Sequence, residues 1–322
     1  MEQETVIQEV LSYVVIFGTI FGAIGGAAVL IWFERRLLGL WQDRLGPNRV
    51  GPFGIGIVLA DLIKLLSKDD WIPPFSDPVV FIFAPTAALM AMLLGFAVVP
   101  YAPDIHVIDL NIALLFFLGM TSLAVYSVLL GGLASNNKYS LLGGLRSAAQ
   151  MVSYEVFMGL SLMGVVMLSG SFSLTDIVRA QEDGWFIFSQ FLGFIVFVVA
   201  GIAESHRLPF DLPEAEHELV AGFHTEYSGM KFAMFMLGEY LAVILISSMI
   251  ATIFFGGWLG PDFLPPVFWF GMKSFAVICF FILMRASIPR PRYDQLMSLG
   301  WKVMLPLTLV NLLVTGAVVL WA

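Results

Sequence analysis

Long apolar runs separated by shorter polar segments make up most of this chain of 322 residues. Each run is close to the ~20 residues that an α-helix needs to cross the hydrocarbon core of a bilayer. Because backbone groups cannot remain unpaired in lipid, runs of this length predict helices rather than strands. The pattern predicts an all-α polytopic membrane protein, forming one helical domain over 1–322. Its eight expected transmembrane helices lie near 10–33, 77–100, 110–134, 147–169, 186–203, 232–255, 266–285 and 302–321.

Composition supports this class and excludes several kinds of site. The chain is 59% hydrophobic and 12% charged, and its mean hydropathy is +0.90, which is outside the usual range of soluble proteins. The single cysteine, Cys279, lies inside an apolar run, so neither a disulfide framework nor a cysteine-rich iron–sulfur site is expected. Any redox centre must therefore belong to a partner.

Basic residues alternate between the two sides of the predicted bundle. Lys and Arg should collect in the connections that face the cytoplasm. Both termini are therefore predicted on the periplasmic side, and the acidic 204–226 segment on the cytoplasmic side. The segments after the first, third, fifth and seventh runs hold fourteen of the 16 basic residues: Arg35, Arg36, Arg44, Arg49, Lys64, Lys68, Lys138, Arg146, Arg207, Lys231, Arg285, Arg290, Arg292 and Lys302.

The first cytoplasmic connection is predicted to contain an amphipathic surface helix at about 54–68. Isoleucines and leucines alternate there with Asp61 and Lys64, among other charges. Just before it, Glu34 and Arg35 follow the first apolar run, near Trp32 and Trp41. Interfacial anchoring accounts for the tryptophans. Glu34 and Arg35 either share that role or line the mouth of a cavity suited to a lipophilic ligand.

An acidic connection at about 204–230 is the densest group of titratable residues in the chain. Three of the 4 histidines lie there, and Pro213 precedes a predicted short helix that begins near Glu214. Such density beside a membrane indicates proton or cation handling, although a solvated loop that meets a basic partner protein is the alternative. Repulsion between neighbouring carboxylates predicts coupled titration. The carboxylates are Glu204, Asp211, Glu214, Glu216, Glu218 and Glu226.

Two further carboxylates, Glu155 and Glu239, lie well inside predicted spans. An ionised carboxylate at the bilayer centre is unfavourable by at least ~2.5 kcal/mol, so each must face a polar interior or stay protonated. A proton relay needs carboxylates of this kind, whereas a protonated glutamate bonded to a neighbouring helix is the structural alternative. Glu214 and His217 have the Glu-x-x-His spacing of di-iron bundles, but a single copy of that motif predicts no metal site.

Several long segments resemble one family over essentially the whole chain: the quinone-site membrane subunit of NADH:quinone oxidoreductase, or respiratory complex I. The resemblance implies a helical bundle between a hydrophilic electron-transfer arm and a proton-pumping membrane arm. The segments are ERRLLGLWQDRLGPNRVGP, ADLIKLLSKDDWIP, SYEVFMGLSLM, HRLPFDLPEAEHELVAGFHTEYSGMKFAMFMLGEY and RASIPRPRYDQLMSLGWK.

The resemblance also implies roles for particular residues. It assigns no catalytic residue and no metal to the isolated chain. It places Glu34, Arg35, Asp61 and Lys64 at a quinone tunnel, with Phe232 and Arg285 as further tunnel residues. It places a proton path at Glu155, Glu204, Asp211, Glu214, Glu216, Glu218 and Glu239.

The resemblance implies that quinone is the substrate and that FMN and iron–sulfur clusters lie in partner subunits. The expected partners are hydrophilic quinone-module subunits, membrane-arm subunits and the lipid bilayer, without nucleic acid. The expected location is a bacterial inner membrane. Two alternatives remain: the homologous membrane subunit of a hydrogenase or formate hydrogenlyase, and a freestanding cation or proton carrier. Neighbouring genes for nickel–iron hydrogenase subunits, rather than for an NADH-binding flavoprotein, would identify the hydrogenase alternative. Activity without partner subunits would identify the freestanding carrier.

Overall fold

The structure is a computed structural model and describes residues 2–103, 105–212 and 220–321, with side chains from residue 12 onward. The described residues form helices and no β-strand, which confirms the all-α class. In chain order the α-helices are α1 (Glu2–Trp41), α2 (Ile57–Ser67), α3 (Pro78–Gly95), α4 (Ala113–Ala134), α5 (Lys138–Ser169), α6 (Leu174–Arg179), α7 (Phe186–Ser189), α8 (Phe191–Glu204), α9 (Gly229–Phe254), α10 (Pro266–Ser287), α11 (Tyr293–Leu299) and α12 (Leu305–Trp321).

Seven segments of the described chain are long and apolar enough to cross a membrane. Most begin and end within a few residues of the predicted runs. The largest differences are at the starts of Lys138–Ser169 and Tyr293–Trp321, which both begin well before the predicted runs. α5 starts at Lys138 because the Asn137 side chain accepts a hydrogen bond from the Tyr139 amide at 2.9 Å and caps the helix there. The seven are Ser12–Trp41, Pro78–Val98, Ala113–Ala134, Lys138–Ser169, Gly229–Phe254, Pro266–Ser287 and Tyr293–Trp321.

The run predicted as an eighth span, near 186–203, is a shorter helix. The four-residue α7 ends at Ser189, and α8 has 14 residues, or about 21 Å of length against a hydrocarbon core of about 30 Å. Gln190 separates the two helices and donates to Thr315 at 2.9 Å. Since α8 packs against α5, α9 and α12 and most of its residues are buried, protein covers much of its surface, and full spanning length is not required.

The connections lie at two ends of the bundle. One end, named here the charged end, carries the connections 42–77, 135–137 and 288–292, together with the described segments 205–212 and 220–228. Contacts hold these connections together: Asn137 donates to Glu226 at 2.6 Å, and Lys231 pairs with Asp70 at 2.7 Å. The opposite end carries the connections 170–190 and 255–265, together with the described segments 99–103 and 105–112. Most basic residues of the described chain therefore lie at one end, as their spacing predicts.

The surface helix predicted at about 54–68 is present as α2, preceded by a separate 3₁₀ turn at Pro52–Gly54. None of its residues is buried within the described chain, and Leu59, Ile63 and Leu66 are each more than 60% exposed. This apolar face is available to a membrane surface or to a partner.

Candidate functional site

A polar cavity of about 600 Å³ lies at the charged end of the bundle. The end of α1, the 205–212 connection, α9 and α10 supply its walls. Its volume lies within the ~300–1,000 Å³ that is typical of small-molecule sites. The charged and polar side chains along it are Glu34, Arg35, Arg44, His206, Arg207, Asp211, Glu239, Tyr240 and Arg285.

Glu34 is the centre of an ion-pair cluster in the wall of this cavity. Its side chain is buried, and its carboxylate accepts a hydrogen bond from Arg285. The Arg207 guanidinium lies 3.6 Å from the other Glu34 oxygen and 3.9 Å from the centre of the Tyr240 ring. Two cations therefore face one buried carboxylate, and Arg207 also interacts electrostatically with Glu239.

Arg35 lies outside this cluster, at the rim of the cavity. It pairs with Asp61 of α2 at 3.1 Å, and both side chains are partly exposed. Asp61, Lys64 and Phe232 do not line the cavity. Of the residues assigned to the tunnel, the structure therefore brings Glu34, Arg35 and Arg285 to one cavity, and the other three do not contribute to its walls.

Glu239 connects the cavity to the interior of the bundle. It lines the polar cavity and also a small cavity of about 30 Å³, whose lining includes Glu204 and His206. That volume exceeds the ~10–15 Å³ needed to hold one water molecule. Glu239 also lies 3.9 Å from His224.

Glu204 and Glu155 continue the series of carboxylates toward α4. Glu204, the last residue of α8, is 1% exposed, and neither carboxylate oxygen has a hydrogen-bond partner among the described residues. Glu155 of α5 accepts a hydrogen bond from Ser122 of α4. Asp211 lies at the other end of the series and pairs with Arg290 at 3.0 Å.

Three carboxylates assigned to the proton path lie outside the described residues. Glu214, Glu216 and Glu218 fall within 213–219, as does His217 of the Glu-x-x-His motif. Among the described residues, no group of three or more His, Cys, Asp or Glu side chains could hold a metal ion.

The structure adds four residues that were not singled out from the sequence. Of these, His206 and His224 belong to the histidines already noted in the acidic connection and Arg207 to its basic residues, but none had been assigned a role, and Tyr240 had not been considered; His206 lies 2.6 Å from Ser147 of α5. Burial, assisted by the Arg207 charge, lowers the pKa of His206 to about 4. Burial, assisted by His206, lowers the pKa of His224 to about 3. For His206, Arg207 and His224 the only signal in the sequence was their place in a segment dense in carboxylates, and for Tyr240, which lies in α9, there was none.

Seven apolar helices of membrane-spanning length, with an ion-paired cavity at one end of the bundle, define a polytopic membrane protein. The family can be stated more narrowly. This chain belongs to the NADH dehydrogenase family, whose model matches residues 13–316.

A curated relative supports the same family. The chain is 64% identical over 304 residues to the H subunit of the NADH-quinone oxidoreductase of Methylococcus capsulatus (strain ATCC 33009 / NCIMB 11132 / Bath). The matched region covers 94% of this chain and 96% of the relative. The similarity therefore extends over all the helices described above.

Proposed function

We propose that this chain is a membrane subunit of a proton-translocating NADH:quinone oxidoreductase. Family membership and the similarity to the Methylococcus capsulatus protein support the assignment as a membrane subunit of that enzyme complex. In this proposal NADH oxidation, FMN and the iron–sulfur clusters belong to hydrophilic partner subunits. The isolated chain then has no oxidoreductase activity of its own.

We further propose that the polar cavity is part of the quinone tunnel. The observation that carries this step is the cluster in its wall, where Glu34 lies between Arg285 and Arg207. A quinone headgroup has carbonyl oxygens that accept hydrogen bonds from guanidinium groups. Arg35, Asp61 and Lys64, with the exposed apolar face of α2, lie where a quinone would pass from the bilayer.

The buried carboxylates form the proton path in this proposal. Quinone reduction takes up protons and transiently concentrates negative charge, to which nearby titratable groups respond. Glu239 lies in the wall of both cavities, Glu204 lines the inner one, and Glu155 lies beyond it at the face of α4 and α5. A change in the charge of the quinone would thus alter the protonation of these carboxylates in turn, toward the membrane-arm partners. Glu214, Glu216 and Glu218 remain candidates for the cytoplasmic part of this path.

The assignment to the complex is tested by native-gel separation of membranes solubilised in mild detergent. We expect this chain to migrate in a large band that stains for NADH dehydrogenase activity. Migration alone would instead indicate a freestanding carrier. Migration with nickel–iron hydrogenase subunits would indicate the homologous hydrogenase complex.

The proton path is tested in the assembled complex by Glu204→Gln. We expect this variant to lose most proton-coupled quinone reduction while it oxidises NADH normally with a water-soluble artificial acceptor, because only the buried carboxylate has been removed. Asp176→Asn is the matched control, since Asp176 is exposed at the opposite end of the bundle. Equal loss of both activities would show failed assembly, and full proton pumping would remove Glu204 from the path.

A further inference from the structure

Glu155 and Ser122 form a pair about halfway along two membrane-spanning helices. Glu155 lies near the middle of α5 and Ser122 near the middle of α4. The Ser122 hydroxyl donates to Oε1 of Glu155. Neither residue belongs to the described lining of the polar cavity or of the small inner cavity. The pair therefore lies beyond both cavities, at membrane depth.

Apolar side chains flank this pair on the outward face of α4 and α5. Leu123 follows Ser122, and Val152 and Val156 lie within one turn of Glu155. These three side chains are 48%, 53% and 43% exposed, respectively, and Glu155 itself is half-buried. A carboxylate among apolar groups at membrane depth depends strongly on its hydrogen bonds, because no bulk water competes for them. The hydroxyl of Ser122 is therefore important to Glu155.

The Ser122 hydroxyl has a second acceptor within reach. Its oxygen lies 3.0 Å from the carbonyl oxygen of Leu118, four residues earlier on α4. A hydroxyl group has one hydrogen to donate and lone pairs with which to accept. Ser122 can therefore donate to Glu155 or to Leu118, but not fully to both. Thr121 donates to the same carbonyl at 2.9 Å, so Leu118 keeps a side-chain donor when Ser122 turns to Glu155.

These two acceptors suit the two protonation states of Glu155. When Glu155 is ionised, Ser122 donates to Oε1, and the charge of the carboxylate strengthens this hydrogen bond. When Oε1 carries a proton, the acid O–H group donates to the Ser122 oxygen, and the Ser122 hydrogen turns to the Leu118 carbonyl. Only one hydroxyl hydrogen rotates, and neither helix has to move. Oε1 is thus hydrogen-bonded in both states.

We propose that Ser122 is a positioning residue for Glu155, which lets this carboxylate take up and release a proton at membrane depth without losing its hydrogen bond. The proton is gained and lost by Glu155, and Ser122 keeps its own hydrogen throughout. The proposal rests on the proposed function in taking Glu155 as part of the proton path. Many serines in helices bond only to the carbonyl four residues earlier, as Ser153 does to Ala149 at 2.7 Å. The acceptor on a second helix distinguishes Ser122 from these.

The test records reduced-minus-oxidised infrared difference spectra of the intact complex. The C=O stretching frequency of a protonated carboxyl group rises when the acid group loses its hydrogen-bond partner. We expect one carboxylic-acid band to be absent in Glu155→Gln and to move to higher frequency in Ser122→Ala. Ser153→Ala is the matched control, since it removes a hydroxyl that bonds only to the backbone of its own helix. That variant should leave the band in place.

Activity measurements use the same variants. Ser122→Ala should slow proton-coupled quinone reduction about tenfold, because a hydrogen bond to a charged group is lost, and NADH oxidation with an artificial acceptor should be unchanged. Ser122→Thr keeps the hydroxyl and should restore both the rate and the infrared band. Ser122→Cys has nearly the size of serine but a weak donor, so it should behave like Ser122→Ala. It answers the question if the alanine variant does not assemble.

Three outcomes would overturn the proposal, and they differ in what they say about the proton path. A band that depends on Glu155 but is the same in the parent and in Ser122→Cys would remove the role of Ser122 and leave the path intact. Equal loss of both activities in Ser122→Cys, without a shift of the band, would show that Ser122 only joins α4 to α5. Full proton pumping by Glu155→Gln, with no band lost, would remove Glu155 from the path and the proposal with it.

Discussion

At the scale of single residues, the charged cavity depends on a carboxylate with two cationic partners. Glu34 is buried and contacts both Arg285 and Arg207, whereas the neighbouring Arg35–Asp61 pair is partly exposed. A buried ion pair is costly to break from one side, because the remaining charge loses its partner within a medium of low polarity. An exposed pair is screened by water. Removal of the carboxylate charge should therefore destabilise the protein much more at Glu34 than at Asp61.

Glu34→Gln tests this difference. We expect the free energy of unfolding of the complex-bound subunit to fall by about 3–5 kcal/mol, because Arg285 and Arg207 lose their counter-charge. Asp61→Asn, the matched control, should cost no more than about 1 kcal/mol. Thermal inactivation of quinone-linked activity in the purified complex measures both. Equal shifts for the two variants would contradict the buried cluster.

The two histidines predict how stability depends on pH. His206 is buried, and its pKa is lowered from 6.5 to about 4. The unfolded chain therefore binds more protons than the folded one between about pH 6.5 and 4, so stability falls as the pH is lowered through this window. The loss should reach about 3 kcal/mol for His206 alone. His224 adds to it at lower pH, since its pKa is lowered to about 3.

His206→Gln should flatten this acid dependence. The variant cannot take up the proton, so its thermal unfolding midpoint should change less between pH 6.5 and 4 than that of the parent. His106→Gln is the control, because His106 lies in the 99–112 connection at the opposite end. Parallel curves for the parent and His206→Gln would mean that another group controls the acid response.

At the scale of elements, α5 positions the connection that carries His224. The glycines of α5 differ in how closely other parts of the chain approach them. A Cβ at Gly143 would lie 2.7 Å from the Gly222 Cα and from the Phe223 amide nitrogen, whereas one at Gly159 would lie 3.8 Å from a Leu118 methyl group. Gly143 therefore allows the backbone at 222–223 to pack closely against α5, whereas a methyl group at position 159 would make only an ordinary van der Waals contact.

Gly143→Ala and Gly159→Ala should therefore have opposite effects on the stability of the subunit. We expect Gly143→Ala to destabilise the subunit by about 1–3 kcal/mol, because the backbone at 222–224 must move away from α5. Gly159→Ala should instead stabilise it by up to about 1 kcal/mol through helix propensity. Thermal unfolding midpoints measure both effects. Gly143→Ala should also slow quinone-linked proton transfer, and stabilisation by both variants would contradict the close approach.

At the scale of the whole molecule, the bundle has a strongly asymmetric distribution of basic residues. The Lys- and Arg-rich connections lie at the charged end, and the described opposite end carries Arg179 on its connections. Basic residues favour the cytoplasmic side of a bacterial membrane. We therefore predict that the charged end faces the cytoplasm and that both termini face the periplasm.

Cysteine labelling checks this orientation. In a background with Cys279→Ala, which removes the one cysteine of the chain, Asp69→Cys should react with a membrane-impermeant maleimide only in inverted vesicles. Asp262→Cys should react only in intact spheroplasts. Both aspartates are exposed, and they lie at opposite ends of the bundle. The reverse labelling pattern would show that the charged end faces the periplasm, and it would leave the described fold unchanged.

The sequence by itself determined the all-α membrane class, the approximate spans and the end of the bundle that carries the basic residues. These are local properties, because the length of an apolar run and the charge of its flanks respond directly to the bilayer. At 186–203 the sequence located the helix that returns the chain to the charged end but not its length, because α8 is short and packs against other helices of the bundle. Hydrophobicity reports burial, and it does not distinguish burial in lipid from burial in protein.

Only the tertiary structure decided which polar groups meet. Glu34 and Arg285 are 251 positions apart, and Ser147 and His206 are 59 apart, so no local pattern relates them. Contacts between distant segments depend on how the helices cross, and crossing is fixed by the complementarity of whole surfaces.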